Sequence, residues 1–299
     1  MTGRSLGVAA IAAAFTLGAM TTVPASAEPA GNPIIELKSV AKGQCMTATT
    51  TDHFLVELAD CTGAPNQRWE EVAAPDGNSY LRNIADRKCL DAEFAVAGDQ
   101  CDETDQVQRW RLETDASGAR KLRVSFGWYA STAWYGGEFH IGITTEEPQD
   151  TDDQRWEVTE VGTAPARPDT TGAAISMESS GRPGRCADGI AMVACPGSPF
   201  QRVELGGGVV QLRTETGCLR AKPDQRHDNV VDLLGDCTVT DRAQQWQLTS
   251  DLFGGHLVRN VDRGTYLTPL ATDLGHFYKG FGGPGAQVQR WVFTLAGTR

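Results

Sequence analysis

Gln67-Arg68-Trp69 recurs as Gln108-Arg109-Trp110, Gln154-Arg155-Trp156, Gln244-Gln245-Trp246 and Gln289-Arg290-Trp291, and a worn copy, Gln201-Arg202-Val203, fills the remaining slot. The six glutamines lie 41, 46, 47, 43 and 45 residues apart. Five of the seven tryptophans sit in this motif, so it belongs to the architecture. A fixed period of this length marks a supersecondary unit that buries its apolar face only against its neighbours.

Six equal units could form a propeller, but the cysteines are not equally shared. They fall as Cys45 and Cys61, then Cys89 and Cys101, then none; the order repeats with Cys186 and Cys195, Cys218 and Cys237, then none. Two-two-zero, twice, is a duplicated block of three units. No Trp-Asp blade signature occurs either. Eight cysteines imply four disulfides formed in an oxidising compartment. Sequence alone leaves the pairing open, and the repeat favours neighbours within a unit: 45 with 61, 89 with 101, 186 with 195 and 218 with 237. Each short loop so closed contributes about 3 kcal/mol in the chain-entropy account. No CxxC or zinc-finger spacing competes with this reading.

Residues 1–27 read as a secretory signal peptide: Arg4, an apolar run from Leu6 to Met20, and the small-residue site Ala25-Ser26-Ala27. The run is short for a membrane span, and no later segment resembles one. Removing Arg4 with the signal leaves 26 basic against 38 acidic residues, a net charge of −12. Such a surface disfavours nucleic acid and anionic membranes as partners.

Short alternating runs predict strands at Ile34–Leu37, Leu55–Leu58, Lys121–Val124 and Val209–Leu212. No amphipathic helix follows the signal. Residues 161–172, VGTAPARPDTTG, read as a linker. Two all-β domains are therefore expected, over 33–160 and 173–297, each with threefold internal symmetry and each a closed barrel capped by hairpins. In each motif the tryptophan is expected to fill the core and the glutamine to hydrogen-bond backbone at a turn.

The QxW motifs, the paired cysteines and phrases such as Lys88-Cys89-Leu90-Asp91 resemble the ricin B-type lectin family. The resemblance covers residues 33 to about 296 and implies tandem β-trefoils that bind sugars. A working pocket in that family combines three features: an aspartate two residues after the first cysteine, an aromatic residue two before the second, and Asn-Gln at the QxW start. The aspartate position holds Thr47, Asp91, Ser131, Asp188, Arg220 and Thr268, so only units two and four keep the acid. The aromatic position holds Ala59, Asp99, Val193 and Gly235; the Asn-Gln pair survives only at Asn66-Gln67, with Asp153 a close substitute in unit three. The sugar-binding candidates are Asp91 with Phe94 and Gln108, Asp188, and Asn66 with Gln67. The plainer alternative for both acids is a turn-forming role.

Aromatic residues gather instead in unit three (Trp128, Tyr129, Trp134, Tyr135, Phe139) and unit six (Tyr266, Phe277, Tyr278, Phe281). Tyr129 and Tyr266 take the position of the first cysteine and are expected in the core. Trp134 and Tyr135 lie in a glycine-flanked loop, as a stacking platform or as local packing. Gly3-Arg4-Ser5-Leu6-Gly7 and the glycines of 280–285 match nucleophile-elbow and dinucleotide motifs in letters only, without the strand-turn-helix setting. The acidic stretch 146–153 lacks the EF-hand glycine and closing glutamate. No catalytic residue, metal or cofactor is assigned. The sequence thus points to a secreted, non-enzymatic, carbohydrate-binding protein with degenerate, low-affinity sites acting together. The alternative is a protein-binding or cell-binding subunit of a secreted toxin or surface assembly.

Overall fold

The computed structural model describes residues 31–49, 56–92, 96–132, 143–222, 230–277 and 289–297. The signal peptide, Phe94, Trp134 and Tyr135 lie outside them. The described residues form twenty-four strands and three single 3-10 turns, with no α-helix among them. Twelve strands from Pro33 to Thr163 make one sheet, and twelve from Ala174 to Leu295 make another.

Each sheet closes on itself as a β-trefoil, every lobe contributing four strands. In the first, Pro33–Ser39 pairs with both Arg68–Ala73 and the last strand, Trp156–Thr163, so a six-strand barrel has no free edge. The second closes likewise, Ala174–Ser179 pairing with Phe200–Gly206 and Arg290–Leu295. The remaining two strands of each lobe form a capping hairpin, for example Cys89–Asp91 with Ala97–Asp99. Alternation sets the facing: in Pro33–Ser39, Ile35, Leu37 and Ser39 turn inward. The outward Glu36 and Lys38 meet Arg68 and Glu157 directly across the ladder, at 3.6 and 3.0 Å.

All four disulfides join cysteines of the same lobe: Cys45–Cys61, Cys89–Cys101, Cys186–Cys195 and Cys218–Cys237. The five QxW indoles are fully buried in the two barrel cores. Each donates its ring N–H to the carbonyl of the residue that follows the first-cysteine position of its lobe: Met46, Leu90, Ala130, Leu219 and Leu267. One polar atom thus fixes the rotation of a ring that otherwise only fills volume.

Three expectations need correction. In lobe four the indole's slot is filled by Phe200, not Val203: Phe200 pairs with Ile175 as Trp69 pairs with Ile35, and is fully buried. Gln201 points outward and donates to the Gly172 carbonyl. The worn copy is therefore Ser198-Pro199-Phe200, three residues earlier; the intervals of 47 and 43 become 44 and 46. Second, residues 161–163 are not linker but continue the barrel strand, with Thr163 opposite Pro33. The irregular connection starts at Ala164. Third, Tyr129 and Tyr266 open their hairpins as the cysteines do, yet both are only half-buried. Without a disulfide partner to pull it inward, the Tyr129 hydroxyl turns to Glu113, 2.7 Å away.

The trefoils touch. Val72, Ala74, Tyr80, Cys89 and Cys101 of the first pack with Phe253 of the second, the Tyr80 and Phe253 rings meeting edge to face at 5.0 Å. Arg290 crosses the boundary to donate to the Cys101 carbonyl at 3.1 Å, and Arg82 donates to the Phe253 carbonyl at 2.7 Å.

Candidate functional site

Four motif glutamines, Gln67, Gln108, Gln154 and Gln244, hydrogen-bond the backbone of their own lobe. Gln67 accepts from the Thr62 amide and donates to the Asp60 carbonyl, the residues on either side of Cys61. Gln108 does the same around Cys101, through Asp102 and Gln100, and Gln244 around Cys237, through Thr238 and Asp236. Lobe three has no cysteine, but Gln154 still ties Gln149 to the Glu147 carbonyl. Each buried amide therefore holds the end of its hairpin against the barrel, as its burial demands.

The second amide hydrogen reaches the position two residues after the first cysteine. Gln67 donates to the Thr47 hydroxyl at 3.0 Å, and Gln289 to the Thr268 hydroxyl at 3.0 Å. In lobe two Gln108 donates instead to the Asp91 carboxylate at 3.1 Å. Asp91 ends the hairpin strand Cys89–Asp91 and is 6% exposed. Its companion Phe94 lies outside the described residues. Asn66 belongs to lobe one and does not join this group; its side chain donates to the Ala48 carbonyl.

Lobe four differs. Asp188 ends the strand Arg185–Asp188 opposite Ala191 and is half-buried, and its carboxylate makes no hydrogen bond or salt bridge among the described residues. Ser198 stands where the other lobes have glutamine, so no amide orients this carboxylate. In lobe five Arg220 is clamped by Asp232 across the hairpin, through bonds of 2.9 and 2.7 Å. The acidic stretch of lobe three is engaged by Arg155, whose guanidinium meets Asp115, Asp150 and Asp152; hydrogen bonds from Ser117 and Arg155 hold the Asp115 carboxyl well below the usual range. No group of metal-ligating side chains occurs among the described residues.

Phe126 and Trp128 are 50% and 43% exposed and stand 5.7 Å apart at the turn before Tyr129. In the sequence Trp128 is one of an aromatic cluster; the fold turns it to solvent.

Residues 22–100 match the family model described as ricin-type beta-trefoil lectin domain-like. No curated protein matches the chain. Among solved structures, a mosquitocidal holotoxin is 13% identical at a TM-score of 0.40, over 88% of this chain and 34% of its own. The chain thus spans about a third of that toxin. The designed threefold-symmetric protein ThreeFoil is 21% identical at a TM-score of 0.38, over 43% of this chain and 99% of its own. A ricin B-like lectin of Macrolepiota procera, solved with lactose, is 15% identical at a TM-score of 0.36, over 44% of this chain and 96% of its own.

Proposed function

We propose that the protein is a secreted, non-enzymatic carbohydrate-binding protein whose best-formed sugar site is lobe two, with Asp91 as the acceptor of sugar hydroxyls and Gln108 as its positioning partner. One observation carries this reading. Lobes one and six satisfy the same glutamine with a threonine hydroxyl, so the fold needs only a neutral acceptor at this position. Lobe two places a carboxylate there, nearly buried, where desolvating a charge is costly. A carboxylate where a hydroxyl serves in lobes one and six fits a ligand rich in hydroxyl donors. The lectin-like family match over residues 22–100 supports the same class, and the four disulfides suit export. Asp188 offers a second, more open acid without a glutamine to orient it, so this site is expected to be weaker. Two sites on one chain raise avidity when both engage the same glycan.

Asp91→Thr is the discriminating variant, because it installs the residue that lobes one and six already use. It is expected to melt within a few degrees of the wild type and to lose at least about tenfold in glycan-array affinity, the usual share of a charge-assisted hydrogen bond. Unchanged binding would remove Asp91 from the site.

The exposed Phe126–Trp128 pair favours a second reading, a binding subunit of a secreted assembly that uses these rings as an anchor. A stoichiometric partner recovered from the native secretome in excess sugar, and lost with Trp128→Ala, is its expected signature. Retention by Trp128→Ala would exclude this surface.

A further inference from the structure

The two trefoils enclose a cleft of about 620 Å³ walled by both halves and by the connecting segment after Thr163. Four arginines line it, Arg82, Arg87, Arg167 and Arg202, in a chain of net charge −11. Three have carboxylate partners: Arg82 binds Glu70, Arg87 lies 3.6 Å from Glu178, and Arg202 lies 2.6 Å from Glu204. Asp251, also in the wall, faces Arg290 at 3.4 Å. Arg167 stands apart. Among the described residues it forms no salt bridge, and its guanidinium donates to the Leu252 carbonyl at 2.6 Å.

The cleft is shaped around that guanidinium. Arg167 lies over Gly254, where a Cβ would come within 2.6 Å of the guanidinium nitrogen Nε. Gly254 also has φ +83°, a conformation that side chains resist. Beside it the His256 ring packs 4.6 Å from Phe293, with Nδ1 3.0 Å from the Ser250 hydroxyl. Burial and the nearby charge of Arg82 draw the Arg167 pKa below its ordinary value. Burial, then Arg202 and Arg167, do the same to His256. Glu70, Asp169 and Asp251 line the same cleft, so its four arginines leave a net charge of one cation. The exposed Arg167 carries it at the mouth, where cleft walls focus the field even when the whole surface is acidic.

We propose that this cleft, separate from any lobe site, binds a carboxylate- or sulfate-bearing sugar, with the anion on Arg167 and sugar hydroxyls on Ser250 and His256. The volume lies in the range of small-ligand sites. The choice of a sugar to carry the anion rests on the lectin reading, but neither Asp91 nor Gln108 lines the cleft.

Calorimetric titration of the full chain with glucuronate, glucose 6-sulfate and glucose tests it. The two anions are expected to bind at least about tenfold more tightly than glucose, and Arg167→Gln to erase that preference without moving the melting temperature. Added salt should weaken only the anions. Equal affinity for all three sugars, no binding of either anion, or an undiminished preference in Arg167→Gln overturns the proposal. Anion binding lost in Asp91→Thr but kept in Arg167→Gln would place the ligand in lobe two; it would overturn the cleft and leave the lobe reading standing.

Discussion

Trp110→Ala is expected to destabilise the first trefoil by about 4 kcal/mol in denaturant unfolding, within the range for deleting a buried indole. The ring is fully buried, belongs to the first barrel core and donates to the Leu90 carbonyl at 2.8 Å. Removing it opens a large cavity and strands a buried acceptor, and both effects act in the same direction. Trp128→Ala is the control, since that ring is 43% exposed and should cost under about 0.5 kcal/mol. If Trp110→Ala cost less than about 1 kcal/mol, the indoles would not be what fills the barrels.

Arg290→Met should cost about 3 kcal/mol. Its guanidinium is buried at the boundary between the trefoils, donates to the Cys101 carbonyl, and lies 3.4 Å from the buried Asp251 carboxylate. Removing the cation leaves that carboxylate without its counter-charge, the expensive way to break a buried pair. Asp251 keeps its bonds from the Phe253 and Gly255 amides, which limits the loss. The double variant Arg290→Met/Asp251→Asn should regain more than half of it, as a denaturation cycle would show. A double variant no better than the single one would mean that charge is not the reason for the pair.

The legible parts of this fold were those whose contacts are local. Each motif tryptophan and glutamine bonds within its own lobe, and each cysteine pairs within its own, so period and cysteine order were enough to expect two triplets and to favour the four pairings. In lobe four the letter Gln201 keeps the motif's spelling without its volume: the barrel needs an aromatic ring there, and Phe200 supplies it. The middle residue of the motif was opaque for another reason. Arg68, Arg109 and Arg155 look after their own trefoil, through Glu36, Tyr80 and Asp115, whereas Arg290 reaches the other one. Nothing in its local sequence marks that difference. The cleft was invisible likewise, since Arg167 read as part of a bland linker. In lobe two the acid was legible as a residue. That a threonine performs its structural duty elsewhere became visible only when the lobes could be overlaid.

The most direct test is a crystal of the mature chain soaked with the neutral glycan that ranks first on an array. Sugar hydroxyls within hydrogen-bonding distance of the Asp91 carboxylate are the predicted result. Saturating ligand found only at other surfaces, with lobe two unchanged, would contradict the assignment.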